Sequence, residues 1–204
     1  MGLFPFATEH LLPQDEVKQI TAPFWSDLTN VWASAWREYG MLSEEHRAML
    51  AETPFAPPNV LYGFAQFYAR QIFSDRDSEG IIHCPELYVF GFYIQDKVLI
   101  RFNSLRSDLI VHNSHGGSDR KDVYFRQDPI SGLNNNATRL TVGGLANAAR
   151  TDLSSVVISC QVGDSLHYSF PIDGSEDAAI DIPSPITDPQ PDTMSTQLAR
   201  RKPR

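Results

Sequence analysis

Between Pro23 and Tyr39 the apolar residues Trp25, Leu28, Trp32, Trp36 and Tyr39 recur at steps of three or four, the period that gathers side chains on one face of an α-helix. Thr21 is placed to cap this helix, with Pro23 in its first turn, and Gly40 to end it in a left-handed C-cap. A second, shorter helix is predicted from Ser43 to about Ala51. Its acids Glu44 and Glu45 sit at the positive end of the helix dipole, and Pro54, Pro57 and Pro58 end it. Leu61, Phe64, Ala65, Tyr68 and Ile72 then predict a third helix over Asn59 to Phe73, with Asn59 as its cap. The polar stretch Ser74 to Gly80 closes a helical region that spans about residues 14–73.

From there the pattern changes. Glu86 to Ile94 and Lys97 to Leu105 are rich in β-branched and aromatic residues and flank Gln95-Asp96, which predicts a β-hairpin. Ser107 to Lys121 is polar, contains Gly116-Gly117 and has no period, so an exposed loop is expected. Val123 to Arg126 predicts a short strand, and Thr138 to Val142 another that stops at Gly143-Gly144. Leu145 to Asp152 fits a short helix or a plain connection. Ser154 to Val162 and Ser165 to Ile172 flank Gly163-Asp164, a two-residue hairpin turn. Helices followed by strands define an α+β fold, with helices packed on one face of a mainly antiparallel sheet. One domain is expected over 1–172, its β part over about 86–172. Residues 173–192 hold six acids, four prolines and no Lys or Arg, and Arg200-Arg201-Lys202-Pro203-Arg204 follows, so 173–204 reads as a disordered tail with a basic end.

Charge narrows the function classes. The 204 residues carry 17 Lys and Arg against 25 Asp and Glu, and residues 1–172 alone carry 13 against 19. The acidity therefore belongs to the folded part and opposes the phosphate backbone, which disfavours nucleic acid as a partner. Two cysteines, Cys84 and Cys160, do not make a disulfide framework in a chain of this size and are expected as free thiols. Met1 to His10 has no basic residue ahead of an apolar run, and no window reaches the roughly 18 apolar residues of a membrane span. A cytoplasmic location is expected. Neither G-x-G-x-x-G nor G-x-x-x-x-G-K-[ST] occurs, so no cofactor is assigned.

Candidate chemistry is sparse. His112 and His115, in the polar loop, offer two imidazoles for a divalent cation, with Asp108 and Asp119 the nearest residues to complete a set. Two solvated histidines are the plainer reading, and no metal site is assigned. Cys84 is a candidate nucleophile, with His112, His115 or His167 as its base, because His83 points to the other side of an extended chain. A hydrolase that uses His112 and His115 of the loop together with Cys84 or a metal is thus the alternative to a binding protein. Cys160, inside an apolar run, reads as core, as do Trp25, Trp32 and Trp36. Arg101, Arg106, Arg120, Lys121, Arg126 and Arg139 cluster in sequence among Phe102, Tyr124 and Phe125, a basic and aromatic patch. Within it Arg101, Arg120, Lys121, Tyr124 and Arg126 are the candidates for binding a partner.

The blocks Val98 to Leu105, Tyr124 to Gln127, Leu140 to Gly144 and Val156 to His167 together resemble a family of uncharacterised bacterial proteins encoded on mobile elements, beside a regulator or protease-like gene. The resemblance spans about residues 86–172 and carries over no catalytic residue. It implies a protein-interaction component of a two-gene toxin–antitoxin or phage-defence system, with a protein as partner.

Overall fold

The computed structural model describes residues 11–42, 44–51, 56–84, 91–105, 108–111, 123–147 and 151–172. Among the described residues four α-helices come first: α1 (Gln14–Thr21), α2 (Trp25–Met41), α3 (Glu44–Ala51) and α4 (Ala56–Phe73). Six strands follow: β1 (Ile81–His83), β2 (Gly91–Ile94), β3 (Val98–Phe102), β4 (Thr138–Ala146), β5 (Leu153–Val162) and β6 (Ser165–Pro171). The α+β architecture expected from the pattern is the observed one.

The predicted first helix is α2, but its start differs. Thr21 ends α1 instead of capping α2, and a 3-10 turn over Ala22–Phe24 joins the two. The Thr21 hydroxyl donates to the Val17 carbonyl at 2.8 Å and accepts from Trp25 Nε1 at 3.0 Å, so it ties the two helices together. Gly40 lies inside α2, which runs on to Met41. Pro57 and Pro58 open α4, in the first turn, where a missing N–H costs nothing.

The strands form one sheet in sequence order, β1-β2-β3-β4-β5-β6, with every neighbouring pair antiparallel except β3 and β4. Parallel neighbours cannot be joined by a tight turn, so the connection from β3 to β4 must cross the sheet; of it, residues 103–105, 108–111 and 123–137 are described. They take the face opposite the helices. The near face, formed by Ile81, Phe92, Ile94, Val98, Ile100, Phe102, Leu140, Val142, Val156, Ile158, Cys160 and Phe170, packs on α1, α2 and α4 in one apolar core. The far face carries Cys84, Tyr93 and Leu99 under Tyr124, Phe125, Leu133 and Ala137 of the crossover, and Val157 under Leu105 and Leu109.

Three local expectations are corrected. Residues 123–125 form a helical turn, not a strand, because Tyr124 and Phe125 descend from the crossover onto the sheet. β4 does not stop at Gly143-Gly144 but continues to Ala146. A Cβ on Gly143 would lie 2.2 Å from Leu105 Cγ, and one on Gly144 would lie 2.9 Å from Trp32 Cε3, so the two glycines let crossover and helix press on the sheet from opposite sides. A strand also precedes the predicted hairpin, at Ile81–His83. The hairpins themselves stand: Gln95 and Asp96 both take the left-handed conformation (φ 53° and 56°) that a two-residue turn of this hand requires, and Gly163 (φ 61°) opens the β5–β6 turn. Glu86 to Phe90 and the tail 173–204 lie outside the described residues.

Candidate functional site

Strand alternation decides which side chains reach the far face. In β3 the odd residues Leu99 and Arg101 point there, and in β4 Arg139 and Thr141 do. Register then sets two rows across the sheet. One runs Tyr93, Leu99, Arg139; the other runs Gly91, Arg101, Thr141, Ser159, Ser169. The near face is apolar, whereas here two guanidiniums, two hydroxyls and the amide of Gln161 are shut in beneath the crossover. Arg101 is 4% exposed and Arg139 2%.

Tyr124 organises this interior. Its hydroxyl sits 3.1 Å from the Leu99 carbonyl and 3.0 Å from the Leu140 carbonyl, one from each of the parallel strands. Its ring receives the Arg101 guanidinium at 4.5 Å and the Arg139 guanidinium at 5.8 Å, and Arg101 also lies 5.4 Å from the Phe125 ring. Arg139 donates through Nη1 to the Val123 carbonyl at 3.1 Å and through Nη2 to Asn135 Oδ1 at 3.4 Å. Among the described residues Nε of neither arginine has a hydrogen-bond partner. Among the described residues no carboxylate lies within ion-pair distance of either. Burial pushes both guanidiniums below their ordinary value; Tyr124, Tyr93 and Asp128 act on Arg139 against that trend, and Tyr124 and Tyr62 on Arg101.

Magnitudes show why this matters. Moving a charge out of water costs several kcal/mol even after relaxation, while a desolvated cation–π contact returns about 2 kcal/mol. Ring contacts alone therefore leave Arg101 under-compensated. Proton chemistry is closed to the pair, since an arginine in a protein does not give up its proton. Burial also pushes the Tyr124 hydroxyl up and keeps it protonated, more than the two arginines pull it down. The interior is a site of fixed positive charge.

Two glutamines hold the crossover in place over it. The Gln127 side chain accepts from the Arg139 N–H at 3.0 Å and donates to the carbonyls of Arg139 at 2.9 Å and Gln161 at 3.1 Å. Its amide thus stands in for a strand just beyond Thr141↔Ser159, where the pairing of β4 with β5 ends. Gln127 has φ 61°, a conformation fixed by that task. The Gln161 side chain in turn accepts from the Val111 N–H at 3.0 Å and donates to the Gly163 carbonyl at 2.6 Å.

The sequence-derived candidates fall in three places. Arg101 and Tyr124 are neighbours in this interior, together with Arg139 of the basic and aromatic patch; Phe102 of that patch faces the helices instead. Cys84 is buried beside Tyr93, Leu99, Tyr124 and Phe125, closed to an incoming substrate, and its N–H donates to the Gly91 carbonyl at 3.0 Å. Arg126 is exposed. His112, His115, Arg120 and Lys121 lie outside the described residues. Cys160 is in the near-face core, where burial pushes its thiol up to about 12. Among the described residues no three His, Cys, Asp or Glu side chains gather to hold a metal ion, and no helix is long and apolar enough to cross a membrane. Gln127, Gln161 and Thr141 were not singled out in the sequence; alternation within β4 and β5 is the signal that points to the last two. No protein-family model, no curated protein and no solved structure matches the chain.

Proposed function

We propose that the protein works by contact with a protein partner, as the toxin-like or partner component of a two-gene toxin–antitoxin or phage-defence pair. The observation that supports this reading is the apolar surface of the helical layer. Met41 at the end of α2 is 73% exposed, Met49 on α3 is 62% and Phe67 on α4 is 53%. Helices α2 and α3 both pack on α4. Flexible methionines and an aromatic ring at the surface are the residue types that adapt to and anchor a partner. The resemblance over residues 86–172 adds the two-gene context.

The test is tightly controlled induction of the gene alone and with the neighbouring gene of its locus, against a frame-shifted control. Growth arrest relieved by the neighbour, or a stoichiometric complex of the two products, supports the reading. Met41→Ser with Phe67→Ser then weakens the complex at unchanged melting temperature. Neither arrest nor a complex, for the intact chain and for one ending at Asp173, overturns it. Arrest that persists in Cys84→Ala and His115→Ala separates contact from hydrolysis.

A further inference from the structure

The far face holds a feature that partner contact does not use. Arg101 is a cation more than nine-tenths buried; among the described residues no carboxylate pairs it and its Nε has no hydrogen-bond partner. Tyr124 and Phe125 cover it at 4.5 and 5.4 Å. A ring over the plane of a guanidinium leaves its N–H edge for an acceptor, and that edge matches two oxygens of one carboxylate or phosphate group. Its register neighbours are small or hydroxyl-bearing: Gly91 on one side adds no side chain, and Thr141, followed by Ser159, lies on the other. Arg139, at the same Tyr124 ring, supplies a second positive charge whose Nη atoms are already committed to Val123 and Asn135. Among the described residues the N–H edge of Arg101 takes no hydrogen bond.

We infer that this interior binds one small oxyanion, a carboxylate or phosphate group, at the N–H edge of Arg101 beside Thr141. The anion neutralises the buried cation and ties β3 and β4 to the crossover above them. Binding of this kind stabilises the folded state in proportion to occupancy: at a concentration about 100 times its Kd, the ligand raises the folded-to-unfolded ratio about 100-fold.

Thermal unfolding of the full chain in sodium acetate, in inorganic phosphate and in chloride, at matched ionic strength, tests this. A saturable rise in melting temperature is expected with acetate or phosphate and not with chloride; the better of the two identifies the anion class. Arg101→Met removes the cation and with it the anion-dependent rise, and Arg101→Lys, which keeps the charge without the forked edge, weakens it. Should Arg101→Met fail to fold, Thr141→Val, which removes only the hydroxyl, is expected to reduce the rise. A wild-type chain that responds to neither oxyanion, or that responds to chloride equally, overturns the inference, as does a rise unchanged in the Arg101 and Thr141 variants.

Discussion

One sheet presents two faces of opposite chemistry. On the near face, Leu28 and Trp32 of α2 and Ala65 and Ala69 of α4 share one apolar core with Val142, Val156 and Ile158, and burial of apolar area drives the packing. On the far face, an irregular crossover covers Arg101, Arg139, Thr141, Ser159 and Gln161, and what holds is hydrogen bonding and ring contact around fixed charges. The difference teaches where to look for stability and where for specificity. Apolar packing tolerates exchange of similar shapes, whereas a buried polar network depends on each member, because a lost partner leaves a group that water cannot reach. Substitutions that act on one face at a time can break or sharpen this contrast.

The largest effect is expected on the near face. Trp32 is fully buried on α2 and its ring meets the backbone of β4 at Gly144. Trp32→Ala removes that ring and leaves a cavity between helix and sheet, a loss of about 3–5 kcal/mol. Urea unfolding followed at equilibrium measures it. A loss below about 1 kcal/mol, well under the usual range for such a truncation, means that the helices are not the principal support of the sheet.

Next comes a pair of changes around one strand. Leu140 faces the helices and Arg139, its neighbour in β4, faces the crossover. Leu140→Met keeps near-face volume and is expected to cost less than about 1.5 kcal/mol. Gln127→Met has similar length, yet it strips the Arg139 N–H and the carbonyls of Arg139 and Gln161 of their partner. At about 1–3 kcal/mol for a buried group left unsatisfied, with part recovered from other donors, a loss of about 2–3 kcal/mol is expected. Equal costs for the two variants break the contrast.

How far the sequence discloses these two faces follows from the same physics. Helical spacing of Trp25, Leu28, Trp32 and Trp36 marks the near face, since a helix repeats its buried stripe every turn. Turn residues at 95–96 and 163–164 mark the two hairpins. The far face leaves no such trace. Its cover is a 103–137 connection without a period, and the parallel pairing of β3 with β4 that demands this connection has no local signal. Arg101 and Arg139 read as surface residues because charged side chains are rarely buried unpaired. Only their place in the alternation of Val98 to Phe102 and Thr138 to Val142 hints otherwise. Gly143-Gly144 reads as the end of a strand because glycine weakens strands, and it is the squeeze by Leu105 and Trp32 that requires them there.

Alkaline unfolding isolates the near-face thiol. Cys160 on the near face ionises at about 12 when folded and near 8.5 when unfolded. Its contribution is thus whole below about pH 8.5 and declines as pH rises toward the folded value, by about 1.4 kcal/mol per pH unit. Tyr124 on the far face and Tyr168 against the near-face core, both pushed up by burial, add to the decline only above about pH 10, where an unfolded tyrosine begins to ionise. Cys160→Ala is therefore expected to flatten the loss of stability between pH 9 and pH 10 while leaving the steeper limb above it. An unchanged slope in that window places the thiol in contact with water.

Smallest, and most specific to the far face, is Tyr124→Phe. The ring and its contacts with Arg101 and Arg139 remain, and only the hydroxyl shared between the Leu99 and Leu140 carbonyls is lost. One net hydrogen bond predicts about 1 kcal/mol. Tyr124→Leu also removes the ring, and a double-mutant cycle with Arg101→Met isolates the ring contact, expected to couple the two residues by about 1–2 kcal/mol. Coupling near zero means that the guanidinium gains nothing from the ring at 4.5 Å, so that the charge on Arg101 is met elsewhere. Coupling of the expected size, with Tyr124→Phe close to wild type, fixes the ring rather than the hydroxyl as the support of the buried cation and leaves its N–H edge as the open position of the far face.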